Sequence, residues 1–266
     1  MMEALPRSTS VIVDAIPTFL EKLQSIQCID VAEQSLSALE TLSKKHNKAI
    51  LHAKGVGACL MYLDFFSLQA QRNALAIVAN CCTSLLPEEF VHVQDALKIL
   101  STCLVSDDKK SSESACLALS RLAESYRNDK NRLKDLAQPD VLANLQQILV
   151  TNPPSVSGNT FVTVLHVLVV MSSHGSEVGP MLLGENIGAT LRQLLVGPVK
   201  ALRKEDQTAP SGSSFLNSSS NSSQELELVQ RNPQELYEIT SLIAEMMPPL
   251  PADGIFAVDA LLVKPG

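Results

Sequence analysis

The sequence predicts an all-α protein assembled as an elongated stack of helical units. Three observations carry this. The apolar residues recur with a period close to 3.6 along almost all of the 266 residues. The same leucine-rich spacing returns in several long segments. Composition points the same way: 45% of residues are apolar, yet there is no Trp and there are only 3 Tyr. Burial must therefore come from Leu, Ile, Val and Ala, which suits helices better than strands rich in aromatic and β-branched residues. With 11 Gly in the chain, many tight hairpins are not expected.

The elements follow in order. A short helix over 16–23 precedes a long one over about 30–45, with Leu36, Leu39 and Leu42 on one face. The second unit has a short helix over 58–65 and a long one over 68–84, carrying Leu75, Val78 and Cys81. Gly55-Val56-Gly57 reads as the turn before it; with no preceding strand it is not a phosphate loop. The third unit pairs 93–104 with 110–126, where Cys116, Leu119 and Leu122 share a face. In the fourth, 141–149 precedes 158–173, with Leu165, Leu168 and Met171. The fifth pairs 189–195 with 233–247, carrying Leu236, Ile239 and Leu242, and Pro233 suits a first helical turn. Short apolar segments close the units at 49–52, 89–91, 131–136, 178–183 and 255–262.

Equivalent positions Leu36, Leu75, Cys116, Leu165 and Leu236 are separated by 39, 41, 49 and 71 residues. The last interval shrinks toward the others if a Ser-, Asn- and Gln-rich stretch near 200–232 is set aside as a disordered insert. A helical unit of ~40–47 residues marks armadillo or HEAT repeats, and three pieces per unit favour armadillo. The expected fold is thus an armadillo-type α-solenoid, a right-handed superhelix of about five three-helix repeats. Residues 11–198 hold repeats one to four and the start of the fifth. The insert is placed at 199–231 and the remainder of the last repeat at 232–266. Each end lacks a neighbour and is expected to be the weakest.

Composition also excludes. A net charge of −7 and a pI near 5.3 argue against nucleic acid as the main partner, which needs clustered basic surface. The longest apolar stretch, 161–171, falls short of the ~20 residues that span a bilayer. The N-terminus lacks a basic start followed by an apolar run, so no signal peptide is expected. The six cysteines are read as reduced thiols. There is no Cys-x-x-Cys and no His-x-x-x-His, and adjacent Cys81 and Cys82 point in different directions along a helix, so neither metal nor cofactor is expected. Gly-x-Ser-x-Gly is absent too. Cys59, read at the start of a helix, is the one thiol whose pKa that position would lower, against a plainer reading as core packing. The basic run 44–48, flanked by His46 and His52, reads as a solvated helix end.

If the Leu36/Leu39/Leu42 face points inward, three outward rows follow at helical spacing. The first is Gln34, Asn73, Ser114, Thr163 and Gln234; the second Ser37, Ala76, Leu117, His166 and Tyr237; the third Thr41, Asn80, Arg121, Val170 and Ser241. The first is polar throughout. A solenoid offers its concave side to extended peptides, so Asn73, Asn80, Arg121, His166 and Tyr237 are the candidate partner-binding residues. Only one Asn stands in the third row, so a full amide ladder is not expected.

Particular strings add to the periodicity. Asp14-Ala15-Ile16-Pro17, Phe19-Leu20-Glu21-Lys22-Leu23-Gln24 and Ile26 through Gln34 open the series. Gln69 through Cys82, Asp108-Lys109-Lys110-Ser111, Pro233 through Glu238 and Gly254 through Asp259 continue it. Together they resemble the armadillo-repeat region of the thyroid-hormone-receptor-interacting HECT-type E3 ubiquitin ligases, over nearly the whole chain. The resemblance implies a nuclear ubiquitin ligase, with the cytoplasm as a second location. It also implies that the armadillo region precedes a WWE domain and a distant HECT domain, and that this chain is a fragment without the latter. The catalytic cysteine belongs to the HECT domain and no position here matches it. What the resemblance implies for these residues is the recruitment of protein substrates or partners to the ubiquitin machinery. An importin- or catenin-type adaptor is the alternative; its usual Trp ladder is missing here.

Overall fold

A computed structural model describes residues 13–24, 28–173, 176–197 and 229–247. Over the described residues the chain forms helices joined by turns. The twelve α-helices are α1 (Ile16–Gln24), α2 (Ile29–His52), α3 (Gly55–Leu60), α4 (Leu68–Cys81), α5 (Leu97–Leu104), α6 (Lys109–Ser125), α7 (Lys130–Leu136), α8 (Pro139–Val150), α9 (Gly158–Ser172), α10 (Val178–Gly184), α11 (Ile187–Val196) and α12 (Pro233–Met246). Three 3-10 turns, Leu63–Phe65, Pro87–His92 and Gln94–Ala96, complete them.

The long helices α2, α4, α6, α9 and α12 form one row, each packed on the next. A second row runs through α1, α3, the 94–96 turn with α5, α8 and α11. The end of α2, the 87–92 turn, α7 and α10 close the units. This is an all-α helical-repeat solenoid. Its spine is the predicted one: Leu36, Leu39, Leu75, Leu119, Leu122, Leu165, Leu168, Ile239 and Leu242 are all buried. Capping side chains start four of the five long helices, α2 being the exception. Ser67, Asp108, Ser157 and Asn232 accept from the backbone N–H of Ala70, Ser111, Thr160 and Glu235.

Three boundaries and the burial of one leucine differ from the sequence reading. The 30–45 helix and the 49–52 segment are one element: α2 bends at His46 (φ −122, ψ 32) and runs on to His52. Gly55-Val56-Gly57 is the start of α3, not a turn. The reversal falls at Ala53–Lys54, where Lys54 is left-handed (φ 60). Gly55 is there because a Cβ would lie 2.3 Å from Ile50 Cγ2 and 2.7 Å from the Ile50 carbonyl oxygen. α4 ends at Cys81, three residues early. Leu236 is 40% exposed although its equivalents are buried. The closing segment 255–262 and most of the predicted insert lie outside the described residues. The end of that insert is placed: the Val229 N–H donates to the Leu195 carbonyl oxygen at 2.9 Å.

Candidate protein-interaction face

The outward face of the long-helix row carries two shallow hollows that share Gln69 and Asn73. One, of about 390 Å³, lies between α2 and α4 and is lined by Asp30, Glu33, Gln34, Ser37, Ser67 and Ala70. The other, of about 400 Å³, crosses α4, α6 and α9, with Arg72, Ala76, Lys110, Glu113, Ser114, Leu117, Thr160 and Thr163 around it and Glu40 at its rim. Together they make one trough across four successive long helices. Of the first two predicted rows, Gln34, Asn73, Ser114 and Thr163 and then Ser37, Ala76 and Leu117 line it, with Asn73 at the junction; Gln234, His166 and Tyr237 lie outside it. Asn73 Oδ1 accepts from Gln69 Nε2 at 3.0 Å. Ala76 gives a small floor and Leu117, 41% exposed, an apolar wall.

The third row does something else. Asn80 Nδ2 donates to Ser43 Oγ at 2.8 Å, and its Oδ1 accepts from Arg121 Nη1 at 3.0 Å. The same guanidinium nitrogen donates to the Ala79 carbonyl oxygen, and Asn47 donates to the Asn80 carbonyl oxygen. Asn80 and Arg121 are therefore joined in a network that ties α2, α4 and α6 together. Val170 departs from its row altogether and is 2% exposed, because α9 packs against α6, α8, α10 and α12 and carries apolar side chains around its circumference.

His166 and Tyr237 lie toward the far end. Tyr237 is exposed. His166 lies between two carboxylates: Nε2 is 2.8 Å from Glu124 Oε1 on α6 and Nδ1 is 3.2 Å from Glu238 Oε2 on α12. Burial opposes its charge, but the bonds to Glu124 and Glu238 outweigh burial and raise its pKa above the ordinary histidine value.

The sequence reading did not find a second set of residues, which stitch the units. Glu33 accepts from the backbone N–H and hydroxyl of Ser67, the cap of α4. Arg72 donates twice to Asp108, the cap of α6, and Glu113 accepts from the N–H of Ser157, the cap of α9. Each stitching residue immediately precedes a first-row position. That constant offset, with Glu facing a Ser cap and Arg facing an Asp cap, was the available signal. On another side of the stack, Glu89 is buried and accepts from the Leu86 N–H and Lys48 Nζ, with His52 Nε2 at 2.7 Å. Burial raises its pKa, but these partners outweigh it and hold the carboxyl down to about 2. Lys48 and His52, read as a solvated helix end, are thus parts of a joint between units.

Four of the six thiols, those of Cys59, Cys81, Cys82 and Cys116, are core. Cys59 ends α3 rather than starting a helix, and burial pushes its pKa up. Burial also pushes Cys82 up, and Cys81 and Cys116 to about 12. At neutral pH none of these is a thiolate nucleophile. Among the described residues no group of three or more His, Cys, Asp and Glu is placed to hold a metal, and no helix is long and apolar enough to cross a membrane.

Comparison with known proteins places the fold among armadillo-repeat solenoids. A designed armadillo repeat protein superposes with a TM-score of 0.62 at 14% identity, covering 88% of this chain and 83% of that one. A second, computationally designed for modular peptide recognition, gives 0.61 at 16% identity over 86% and 81%. No family model matches the chain. Among curated proteins, E3 ubiquitin-protein ligase TRIP12 of Danio rerio is 51% identical over 264 residues, which is 99% of this chain and 12% of that protein. E3 ubiquitin-protein ligase UPL3 of Arabidopsis thaliana is 30% identical over 97% of this chain and 13% of its own length. Ubiquitin fusion degradation protein 4 of Saccharomyces cerevisiae is 36% identical over 102 residues. The chain thus belongs to the thyroid-hormone-receptor-interacting family of E3 ubiquitin ligases, and it spans about an eighth of the length of the relatives it matches.

Proposed function

We propose that this region is the protein-recruiting module of a HECT-type E3 ubiquitin ligase acting in ubiquitin-dependent degradation in the nucleus. Its long-helix face, the concave side of a solenoid, holds an extended segment of a substrate or partner. Ubiquitin is transferred from a cysteine thioester in another part of the protein. The trough across α2, α4, α6 and α9 is the observation that carries the reading. It is open and acidic in balance, with Asp30, Glu33, Glu40 and Glu113 against Arg72 and Lys110, and it sets the Asn73 amide beside the apolar seat made by Ala76 and Leu117. An extended backbone could pair with the amides while one aliphatic side chain sits in the hollow. No side chain of this region is asked to do chemistry, in keeping with the protonated core thiols of Cys59, Cys81, Cys82 and Cys116.

The test uses the full-length ligase with residues 11–266 present or deleted, scored for ubiquitination of a substrate and of itself. Loss of substrate modification with self-modification retained supports recruitment; equal substrate modification by both proteins overturns it. Leu117→Asp, at an exposed position, should weaken substrate modification without unfolding the stack.

A further inference from the structure

We propose that the imidazolium of His166 is a proton-operated clip that fastens α12, the long helix of the fifth unit, onto the fourth and third units. The reason is geometric. Both ring nitrogens lie within hydrogen-bonding distance of carboxylate oxygens, 2.8 Å to Glu124 and 3.2 Å to Glu238. A neutral imidazole has one N–H and one lone pair, so it satisfies one carboxylate and turns a lone pair toward the other. Only the doubly protonated ring donates to both.

Burial makes the choice consequential. Glu89 and Glu238 are the buried charged residues among those described. Glu89 has Lys48 beside His52, so a cation stays with it when the histidine is neutral. Glu238 has His166 as its ion-pair partner among the described residues, so a neutral ring leaves a buried carboxylate without a cation. The other charges around the site are engaged. In the turn after α6, Arg127 pairs with the second oxygen of Glu124, and from α6 Arg121 is spent on Ala79 and Asn80. From α12, Glu235 pairs with Arg231 and accepts from Asn232. α9 holds no other titratable side chain and α10 none, while Asp140, the one charge on α8, lies at that helix's first turn, lining a separate hollow beside Phe90.

α12 is the long helix for which such a clip matters. The 36 residues 197–232 separate it from α11 in the chain, so no short loop fixes its position. It is held by Ile239 and Leu242, by the Val229 and Arg231 bonds to the end of α11, and by the clip. The folded state raises the histidine's proton affinity, so the clip is closed below the ordinary histidine range and opens as pH rises through the raised value. If the recruitment reading holds, opening removes Tyr237 from the binding face; the clip itself does not depend on that reading.

Hydrogen exchange of the 266-residue chain tests it, with protection factors corrected for intrinsic rates at about pH 6 and about pH 8.5. Protection across 234–246 should fall about tenfold or more between the two, the size expected for losing a charge-assisted bond. Amides of α4, remote from the clip, serve as the reference and should stay level. His166→Gln should show the low value at both pH values. Equal wild-type protection at both, or a wild-type pH response in His166→Gln, overturns the clip. Should the variant fail to fold, the NMR titration of the wild-type imidazole decides: a midpoint above the ordinary histidine value supports the proposal, and one at or below it overturns it.

Discussion

At Gly55 and Gly57, two glycines two residues apart on the same short helix, the surroundings decide what each residue is for. A methyl group on Gly55 would overlap the Ile50 side chain and carbonyl, whereas one on Gly57 meets nothing within 4 Å. Gly55→Ala should therefore lower stability by about 1–3 kcal/mol, the usual cost of forced overpacking. Gly57→Ala should raise it by about 0.5–1 kcal/mol through reduced chain entropy. Denaturant melts of the two variants check both signs at once. Glu89 gives a second residue-scale prediction. Its carboxyl ionises at about 2 in the folded chain against an ordinary 4.5. The stability this supplies is present above the ordinary value and lost as pH falls toward about 2. Glu89→Gln should cost on the order of 2–3 kcal/mol at neutral pH and flatten the acid limb of the stability curve between those values. An unchanged acid limb would show that the joint with Lys48 and His52 contributes nothing net.

Among the elements, the stitches between successive helix caps explain why the register holds from unit to unit. Glu33 to Ser67, Arg72 to Asp108 and Glu113 to Ser157 are one device written with two charge pairings. Arg72→Glu alone would set two carboxylates face to face and should lower the unfolding midpoint. Adding Asp108→Ser converts the second stitch into the form of the other two, and most of the loss should return. A double-mutant cycle measures the coupling; additive effects would reduce the stitch to coincidence of position. These contacts also mark what was legible in the sequence. The five long helices and their buried spine were readable because burial repeats with the helical period. The trough residues Asn73, Ala76, Ser114 and Leu117 followed from the same phase. The roles of Asn80, Arg121 and His166 did not, because a polar residue on an outward row looks the same whether it meets solvent or a neighbouring unit. Leu236 and Val170 failed for a related reason: periodicity fixes a side of the helix, while the neighbours on that side fix burial. The Gly55 boundary was missed because Gly-x-Gly signals a turn locally, and the close approach that demands glycine comes from Ile50, five residues earlier.

For the molecule as a whole, stacking makes stability a sum over units and their shared faces. The long segment before α12 should then matter only through the ends it joins. Those ends meet. Gly197 stands just past α11, and the Val229 N–H reaches the Leu195 carbonyl while the Arg231 side chain reaches that of Leu194 and covers the Phe161 ring. A chain that leaves and returns at the same place closes a loop, and closing a long loop costs more entropy than closing a short one. Replacing residues 198–228 with a four-residue Gly/Ser linker should leave the helices in place. It should also raise stability by about 1–2 kcal/mol, since each halving of loop length returns about 0.6 kcal/mol. Thermal unfolding of the shortened chain, with helical circular dichroism as the fold check, is the measurement. A fall in the midpoint would mean that residues 198–228 make contacts of their own with the stack, and the reading of this segment as an insert within the fifth repeat would have to be given up.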